Sequence, residues 1–312
     1  MAKGILVVTG PTASGKTALG VRLAKMLDGE VVSADAMQLY RGMVIGTAAP
    51  TAEEMQGVPH HLVGTVDPRE SYSVGRYVTE ASAAADDILA RGKLPILVGG
   101  TNLYIEALLR GTDFAGGDPE IRRRLEADYD ALGGEAMLER PRAADPERAE
   151  KLHPNDRKRV VRALEIFLAT GRTISSFDEE SRKAERRYRA CTVALSWEDR
   201  RQLYDRIDRR VDDMFARGLA EEVRGLLAAG LSENSTAMQA IGYKETAAAL
   251  RGEYSLEEAA ARIKTATRRY AKRQLSWLRG RADVHWFLWK KEANLQEACL
   301  FSTRILEISG IL

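Results

Sequence analysis

Residues Gly10-Pro11-Thr12-Ala13-Ser14-Gly15-Lys16-Thr17 fit the spacing G-x-x-x-x-G-K-[ST]. A short apolar run, Ile5 to Val8, precedes them, and helically spaced Leu19, Leu23, Met26 and Leu27 follow. That context predicts a strand, a phosphate-binding loop (P-loop) and a helix over 17–27. Glycines let the backbone curl so that several N–H groups face one anion. The helix N-terminus adds partial positive charge. Lys16 adds a full charge, and the Thr17 hydroxyl can hold Mg²⁺. The expected ligand is a diphosphate or a triphosphate.

The default partner of such a loop is a nucleoside triphosphate, and the default chemistry is phosphoryl transfer. That chemistry calls for a carboxylate at the end of a second apolar strand. The best late strand, over 94–98, runs instead into Gly99-Gly100-Thr101. The first acid on the sheet edge is Asp35, just after Val31-Val32-Ser33-Ala34. Ligands of open α/β sheets lie beyond the carboxyl ends of the strands, so Asp35 and Thr101 should both face the P-loop crevice. Asp35 there could bind Mg²⁺, act as a general base or cap its own loop. Thr101 is either a phosphate-side hydroxyl or the N-cap of a helix over 102–109.

These residues need a scaffold, and the chain supplies its signals. A helix over 74–89 closes at Gly92, and strands alternate with helices up to residue 114, which means βαβ units and a mostly parallel sheet. The pattern changes at Gly116-Gly117-Asp118-Pro119. From there only helices are predicted, over 119–132, 134–139 and 155–169, the last ended by Gly171. A strand over 188–197 then resumes the sheet. Helices follow over 198–216, with Leu203, Ile207, Val211, Met214 and Phe215 on one face, and over 256–279. A last strand covers 284–289. The expected fold is α/β: a P-loop NTPase-like parallel sheet flanked by helices, formed by residues 1–115 and 188–312. Residues 116–187 form an inserted all-helical subdomain. The plainer alternative is two domains in sequence.

Composition narrows the class. The chain has 312 residues, 45% hydrophobic and 29% charged, which is ordinary globular usage. Its 47 basic and 45 acidic residues leave a net charge of +2, so any nucleic-acid surface must be a local patch. Cys191 and Cys299 make no disulfide framework and fit a reducing compartment; with four histidines, they do not approach zinc-site spacing. No apolar run nears the roughly 18 residues of a membrane span. The apolar N-terminus ends at Gly10-Pro11 and reads as a buried strand, not a targeting segment. A cytoplasmic protein is expected, with no membrane contact, no protein partner and a monomeric state.

The motifs in order resemble the tRNA dimethylallyltransferase (tRNA isopentenyltransferase) family. The likeness rests on the P-loop (10–17), on Asp35-Ala-Met-Gln-Leu-Tyr-Arg-Gly-Met, on Ile45-Gly-Thr-Ala-Ala-Pro and on Pro59-His-His-Leu. It continues through Val98-Gly-Gly-Thr-Asn-Leu-Tyr, His153-Pro-Asn-Asp, Arg159-Val-Val-Arg-Ala-Leu-Glu, Gln239-Ala-Ile-Gly-Tyr-Lys-Glu and Arg269-Tyr-Ala-Lys-Arg-Gln-Leu-Ser-Trp. These span residues 4 to about 290. Two positions depart from the family pattern: Ala36 stands where serine is usual, and Ala49 where lysine is usual.

The resemblance implies transfer of a dimethylallyl group from dimethylallyl diphosphate to N6 of adenosine 37, beside the tRNA anticodon, with release of diphosphate. It implies Asp35 as the base that takes a proton from N6, and Thr101 as a partner of the bridging oxygen. It implies diphosphate binding by Gly10, Pro11, Thr12, Ala13, Ser14, Gly15, Lys16 and Thr17, helped by Arg206 or Arg210, with Mg²⁺ at Thr17. Asp35, Ala36, Met37, Gln38 and Thr101 would touch tRNA. So would Arg123 and the segment Arg159, Val160, Val161, Arg162 and Ala163.

A local basic patch exists. Residues 262–282 hold eight basic residues and no acid. Drawn as a helix, Ile263, Ala266, Tyr270 and Trp277 form an apolar stripe, and Lys264, Arg268, Lys272 and Arg279 fall opposite. This face is expected to meet tRNA phosphates. A stacked adenosine cannot reach a crevice, so the base should be splayed out, at a cost of a few kcal/mol. Three competing readings share part of the pattern: a small-molecule or nucleotide kinase, an adenylate isopentenyltransferase, and a non-catalytic RNA-binding protein.

Overall fold

The structure, a computed structural model, describes residues 4–112 and 117–311. Six strands form one parallel sheet: β1 (Gly4–Thr9), β2 (Gly29–Ser33), β3 (His60–His61), β4 (Leu94–Val98), β5 (Arg189–Trp197) and β6 (Val284–Trp289). Their order is β3-β2-β4-β1-β5-β6. Strand β1 is central, with Val8 beside Val98 of β4 and Val193 of β5. From β1 the chain builds one side of the sheet through β2, β3 and β4 and then the other through β5 and β6, and the P-loop opens at that switch point.

Apolar residues on both faces of each strand require cover on both sides. Ile5 and Val7 of β1 join one buried cluster, and Leu6 and Val8 join the other. Helices α1 (Lys16–Met26), α2 (Ala52–Met55), α3 (Val74–Ala90) and α4 (Asn102–Arg110) connect the first strands. Helices α5 (Pro119–Ala144), α6 (Pro146–Ala149), α7 (Arg157–Thr170) and α8 (Ile174–Lys183) follow α4. After β5 come α9 (Arg200–Ala216), α10 (Leu219–Ala228), α11 (Tyr243–Leu250) and α12 (Leu256–Arg279), and α13 (Leu295–Ser309) closes the chain. Helix α9 gives Leu203 and Ile207 to one cluster and Val211 and Met214 to the other. Helix α12 does the same with Ala271 and Leu275 against Ile263. Both helices thus pass from one side of the sheet to the other.

Two compact units emerge: residues 1–111 with 187–312, and residues 112–186. The boundary expected at 115–116 lies outside the described residues. Within the smaller unit, Leu125, Met137, Leu138, Val160, Val161 and Leu164 form its own core. The helices expected over 119–132 and 134–139 are two arms of α5, meeting at Gly133 with φ 80°. The second arm runs on to Ala144, and α6 and α8 carried no signal strong enough to read. In the larger unit the unforeseen elements are β3, α2, α10, α11 and α13. Among the described residues no helix is long and apolar enough to cross a membrane.

The ends of β2 and β4 are laced together. Ala34 N–H donates to the Val98 carbonyl (2.8 Å), and Thr101 N–H donates to the Ala34 carbonyl (3.0 Å). Ala36 N–H donates to Thr101 Oγ1 (3.0 Å). The two loops approach so closely that a methyl group at Gly99 would collide with the Ala34 backbone. Gly99→Ala should therefore cost about 1–3 kcal/mol or more of stability, the scale of overpacking. Urea unfolding of the two proteins checks it, and equal midpoints would contradict this packing.

Candidate active site

The P-loop lines a cavity of about 770 Å³ that also takes in Asp35, Gln38, Arg206, Arg210, Tyr270 and Gln274. Strand β1 delivers the loop, α1 starts at Lys16, and β2 delivers Asp35 from the neighbouring crevice wall. Five cationic residues line this space with Lys16: Arg22, Lys25, Arg206, Arg209 and Arg210. One anion-sized region so enriched in positive charge fits a diphosphate.

Lys16 turns back on its own loop, donating from Nζ to the Pro11 carbonyl (2.7 Å). Desolvation, then the Arg210 charge, push its ammonium down to about 7, and Asp35 only partly offsets them. Arg210 is half-buried, and desolvation lowers its pKa as well. Its Nη1 donates to Thr12 Oγ1 (3.4 Å), while Nε has no hydrogen-bond partner among the described residues. Arg206 donates from Nε to the Ala13 carbonyl (3.3 Å) and lies over the Trp197 ring. The choice left open between the two arginines dissolves, because both reach the P-loop. The Ser14 hydroxyl is also buried and unpartnered among the described residues. Buried donors without acceptors are costly, and an anion in the cavity would satisfy them.

Of the three readings of Asp35, the structure shows the loop cap. Its Oδ1 accepts from Met37 N–H (2.9 Å) and Gln38 N–H (3.3 Å), which caps the loop. Oδ2 takes no hydrogen bond among the described residues, and Asp35 lines the cavity. Thr101 stands at the N-cap position of α4, yet its side chain makes no capping bond. It accepts from Ala36 N–H instead, and its hydroxyl also hydrogen-bonds the Tyr270 phenol, so Thr101 holds the N-cap position without a side-chain cap. Gln38 donates from Nε2 to the Ala48 carbonyl (3.1 Å) and the Thr47 carbonyl (3.3 Å).

Three contributors escaped the sequence reading. Gln274 of α12 is buried, accepts from Thr12 N–H (2.9 Å) and donates to the Gly100 carbonyl (2.8 Å). Trp289 of β6 donates from Nε1 to the Ser14 carbonyl (2.8 Å). Tyr270 lines the cavity, and desolvation followed by Asp35 pushes its phenol up to about 12. The available signal was a glutamine at a core position of a helix, inside a stretch valued only for its charges.

Helix α12 departs from the expected faces. Its buried stripe is Ala259, Ile263, Ala271, Gln274, Leu275 and Leu278, with Ala266, Tyr270 and Trp277 off it. Lys264 and Arg268 point at α9, pairing with Asp212 (2.6 Å) and Asp208 (2.7 Å). They are not an open basic face. Lys272 is exposed, and with Arg269 and Arg273 it lines a shallow depression.

In the helical unit, Val160, Val161 and Ala163 are buried. Their side chains make the unit's core and offer no surface to RNA. Arg123 is exposed, Arg159 is exposed and paired with Asp156 (3.1 Å), and Arg162 pairs with Glu165 (3.0 Å).

The family model described as IPP transferase matches residues 38–281, and one described as isopentenyl transferase matches residues 3–63. The chain is 49% identical to tRNA dimethylallyltransferase 1 of Pelobacter propionicus, covering 95% of this chain and 96% of that one. This chain belongs to the tRNA dimethylallyltransferase family. A Geobacter metallireducens tRNA dimethylallyltransferase is 50% identical, over 90% of this chain and 91% of its own. Among solved structures, the tRNA isopentenylpyrophosphate transferase of Bacillus halodurans matches with TM-score 0.73 and 42% identity, over 99% and 98% of the two chains. A eukaryotic dimethylallyltransferase acting on tRNA matches with TM-score 0.81 and 31% identity, over 99% of this chain and 79% of that one.

In this family member the depressed Lys16 pKa makes anion binding a proton-linked event. At pH 6 the free Lys16 is mostly charged, and at pH 8 mostly neutral. A bound diphosphate favours the charged form, so binding at pH 8 should take up nearly one proton, and at pH 6 almost none. Calorimetry at pH 8 with an alkyl diphosphate, which unlike inorganic diphosphate has no proton left to lose at that pH, reads this in buffers of different ionisation enthalpy. Heats at pH 8 that do not depend on the buffer would contradict the assignment.

Proposed function

We infer that this enzyme transfers the dimethylallyl group of dimethylallyl diphosphate to N6 of adenosine 37 in tRNA and releases diphosphate. One observation carries the reading: a proton-accepting carboxylate, Asp35, and a cationic diphosphate cradle share one cavity. A nucleotide kinase would need a metal-binding carboxylate after β4, where Gly99-Gly100-Thr101 stands.

The roles follow from the chemistry. N6 is a poor nucleophile because its lone pair is delocalised into the ring. Asp35 Oδ2 accepts the N6 proton as N6 bonds to C1 of the donor. The C1–O bond breaks, and its electron pair leaves with the diphosphate. Lys16, Arg206, Arg210 and the P-loop N–H groups stabilise the charge that grows there, so they act more strongly in the transition state than in the ground state. The Thr101 hydroxyl donates toward the bridging oxygen.

Thr17 lines the same cavity, and no cluster of three or more His, Cys, Asp or Glu side chains able to hold a metal occurs among the described residues. One hydroxyl beside diphosphate oxygens and water is a hard oxygen set that suits Mg²⁺. Thr17 would hold that ion, which when bound neutralises charge on the leaving diphosphate. Arg269, Lys272 and Arg273 form the basic surface for tRNA phosphates, and the protein works as a cytoplasmic monomer.

The deciding assay incubates labelled dimethylallyl diphosphate with tRNA, with AMP or alone. Label should enter tRNA only, without ATP, and inorganic diphosphate should compete with the donor and not with tRNA. Asp35→Ala should slow transfer about 10²-fold or more while tRNA binding changes little. Label in AMP, or product that requires ATP, would overturn the reading. Removing the Arg269, Lys272 and Arg273 charges together should weaken tRNA binding, each lost contact flattening the slope of log K against log[salt] by about 0.7–0.9. An unchanged slope would return those residues to plain solvated surface.

A further inference from the structure

Two stretches singled out in the sequence, Ile45–Pro50 and Gln239–Glu245, have no part in the chemistry above. The structure joins them through a residue outside both, Glu222 of α10. Its carboxylate sits in a nest of backbone donors: Val44 N–H (3.0 Å) and Ile45 N–H (2.8 Å) to Oε2, and Gly46 N–H (3.2 Å) to Oε1. The Tyr243 hydroxyl adds a fourth bond to Oε1 (2.6 Å). Tyr243 is fully buried, and a methyl group at Gly46 would collide with its ring. Tyr243 opens α11, where Glu245 Oε2 accepts from Gly242 N–H (2.8 Å). A carboxylate that receives four donors is held far more firmly than a surface ion pair.

The held loop leads directly to the site. The next two carbonyls, of Thr47 and Ala48, receive Nε2 of Gln38. Gln38 and Thr47 line the cavity, and Gln38 N–H shares Asp35 Oδ1 with Met37 N–H. Glu222 itself does not line it. Among the described residues no hydrogen bond joins Glu222, the 44–48 loop or Gln38 to Lys16, Arg206 or Arg210, which hold the diphosphate side.

We propose that Glu222 is a positioning residue for the tRNA side of the site, fixing the 44–48 loop and through it Gln38 beside Asp35. The proposal rests on the transferase reading above and names which part of the protein sets the entry of the acceptor adenosine. Glutamine in place of Glu222 would turn an amide donor toward backbone donors, which opens the nest without changing side-chain size.

The experiment measures steady-state transfer from labelled dimethylallyl diphosphate to tRNA for the wild type, Glu222→Gln, Gln38→Ala, the double variant and Tyr243→Phe, with each substrate varied in turn. Glu222→Gln should raise KM for tRNA about tenfold and leave KM for the donor within about twofold. Gln38→Ala should do the same, and the double variant should be no worse than about the larger single effect, because both act on one element. Tyr243→Phe removes one of four donors and should raise KM for tRNA about threefold. A tRNA KM unchanged in Glu222→Gln, a joint rise of both KM values with a fall in melting temperature, or fully multiplicative effects in the double variant would overturn the proposal. If Glu222→Gln does not fold, unchanged tRNA KM values in Gln38→Ala and Tyr243→Phe overturn it equally. Wild-type transfer in the same assay reports on the transferase reading separately, since only ratios to wild type bear on Glu222.

Discussion

One buried carboxamide holds the two halves of the crevice to each other. Gln274 accepts from Thr12 N–H on the P-loop and donates to the Gly100 carbonyl on the loop after β4. A carboxamide offers an acceptor and a donor side by side in one neutral group. With both bonds made, burial costs little; with either partner missing, a polar atom would be stranded in the core. The width of the diphosphate cradle is therefore set by a side chain from a helix remote in sequence. The register of α12 is fixed by the same residue, which explains why Tyr270, one turn earlier, faces the cavity.

Charge in the cradle is deliberately unbalanced. Lys16 and Arg210 sit close enough to disfavour each other, and Asp35 answers only part of that repulsion. The free protein carries this cost as a lowered Lys16 pKa, and a diphosphate removes it. The cations of α12 that face α9 are treated oppositely: Lys264 and Arg268 each have a carboxylate within 2.7 Å. Pairing distinguishes cations that hold the fold from cations that wait for a ligand, and sequence position does not.

That distinction marks the limit of what the sequence reveals. The P-loop, Asp35 and the long strands were legible because each depends on neighbours within a few residues: glycine spacing, β-branched runs, a helix start. The stripe of α12 was misdrawn because residues 263, 266, 270 and 277 satisfy a helical period as well as the true stripe does. Only the packing of α9 selects between them. Val160, Val161 and Ala163 came from a family likeness that marks a segment, and burial decides which of its side chains can touch anything. Strand β3 is two residues long and has no period to read. Gln274 and Trp289 were missed because their partners lie 262 and 275 residues away.

Those separations have a consequence for how the protein is made. Trp289 pins the Ser14 carbonyl, and Gln274 pins Thr12, so a loop built from the first twenty residues is finished by the last strand of the sheet. A ribosome that has released β1 through β5 has not yet supplied either clamp. The last two hydrogen bonds of the P-loop can therefore close only after residues 274 and 289 have been made, although the loop itself is among the first segments to emerge.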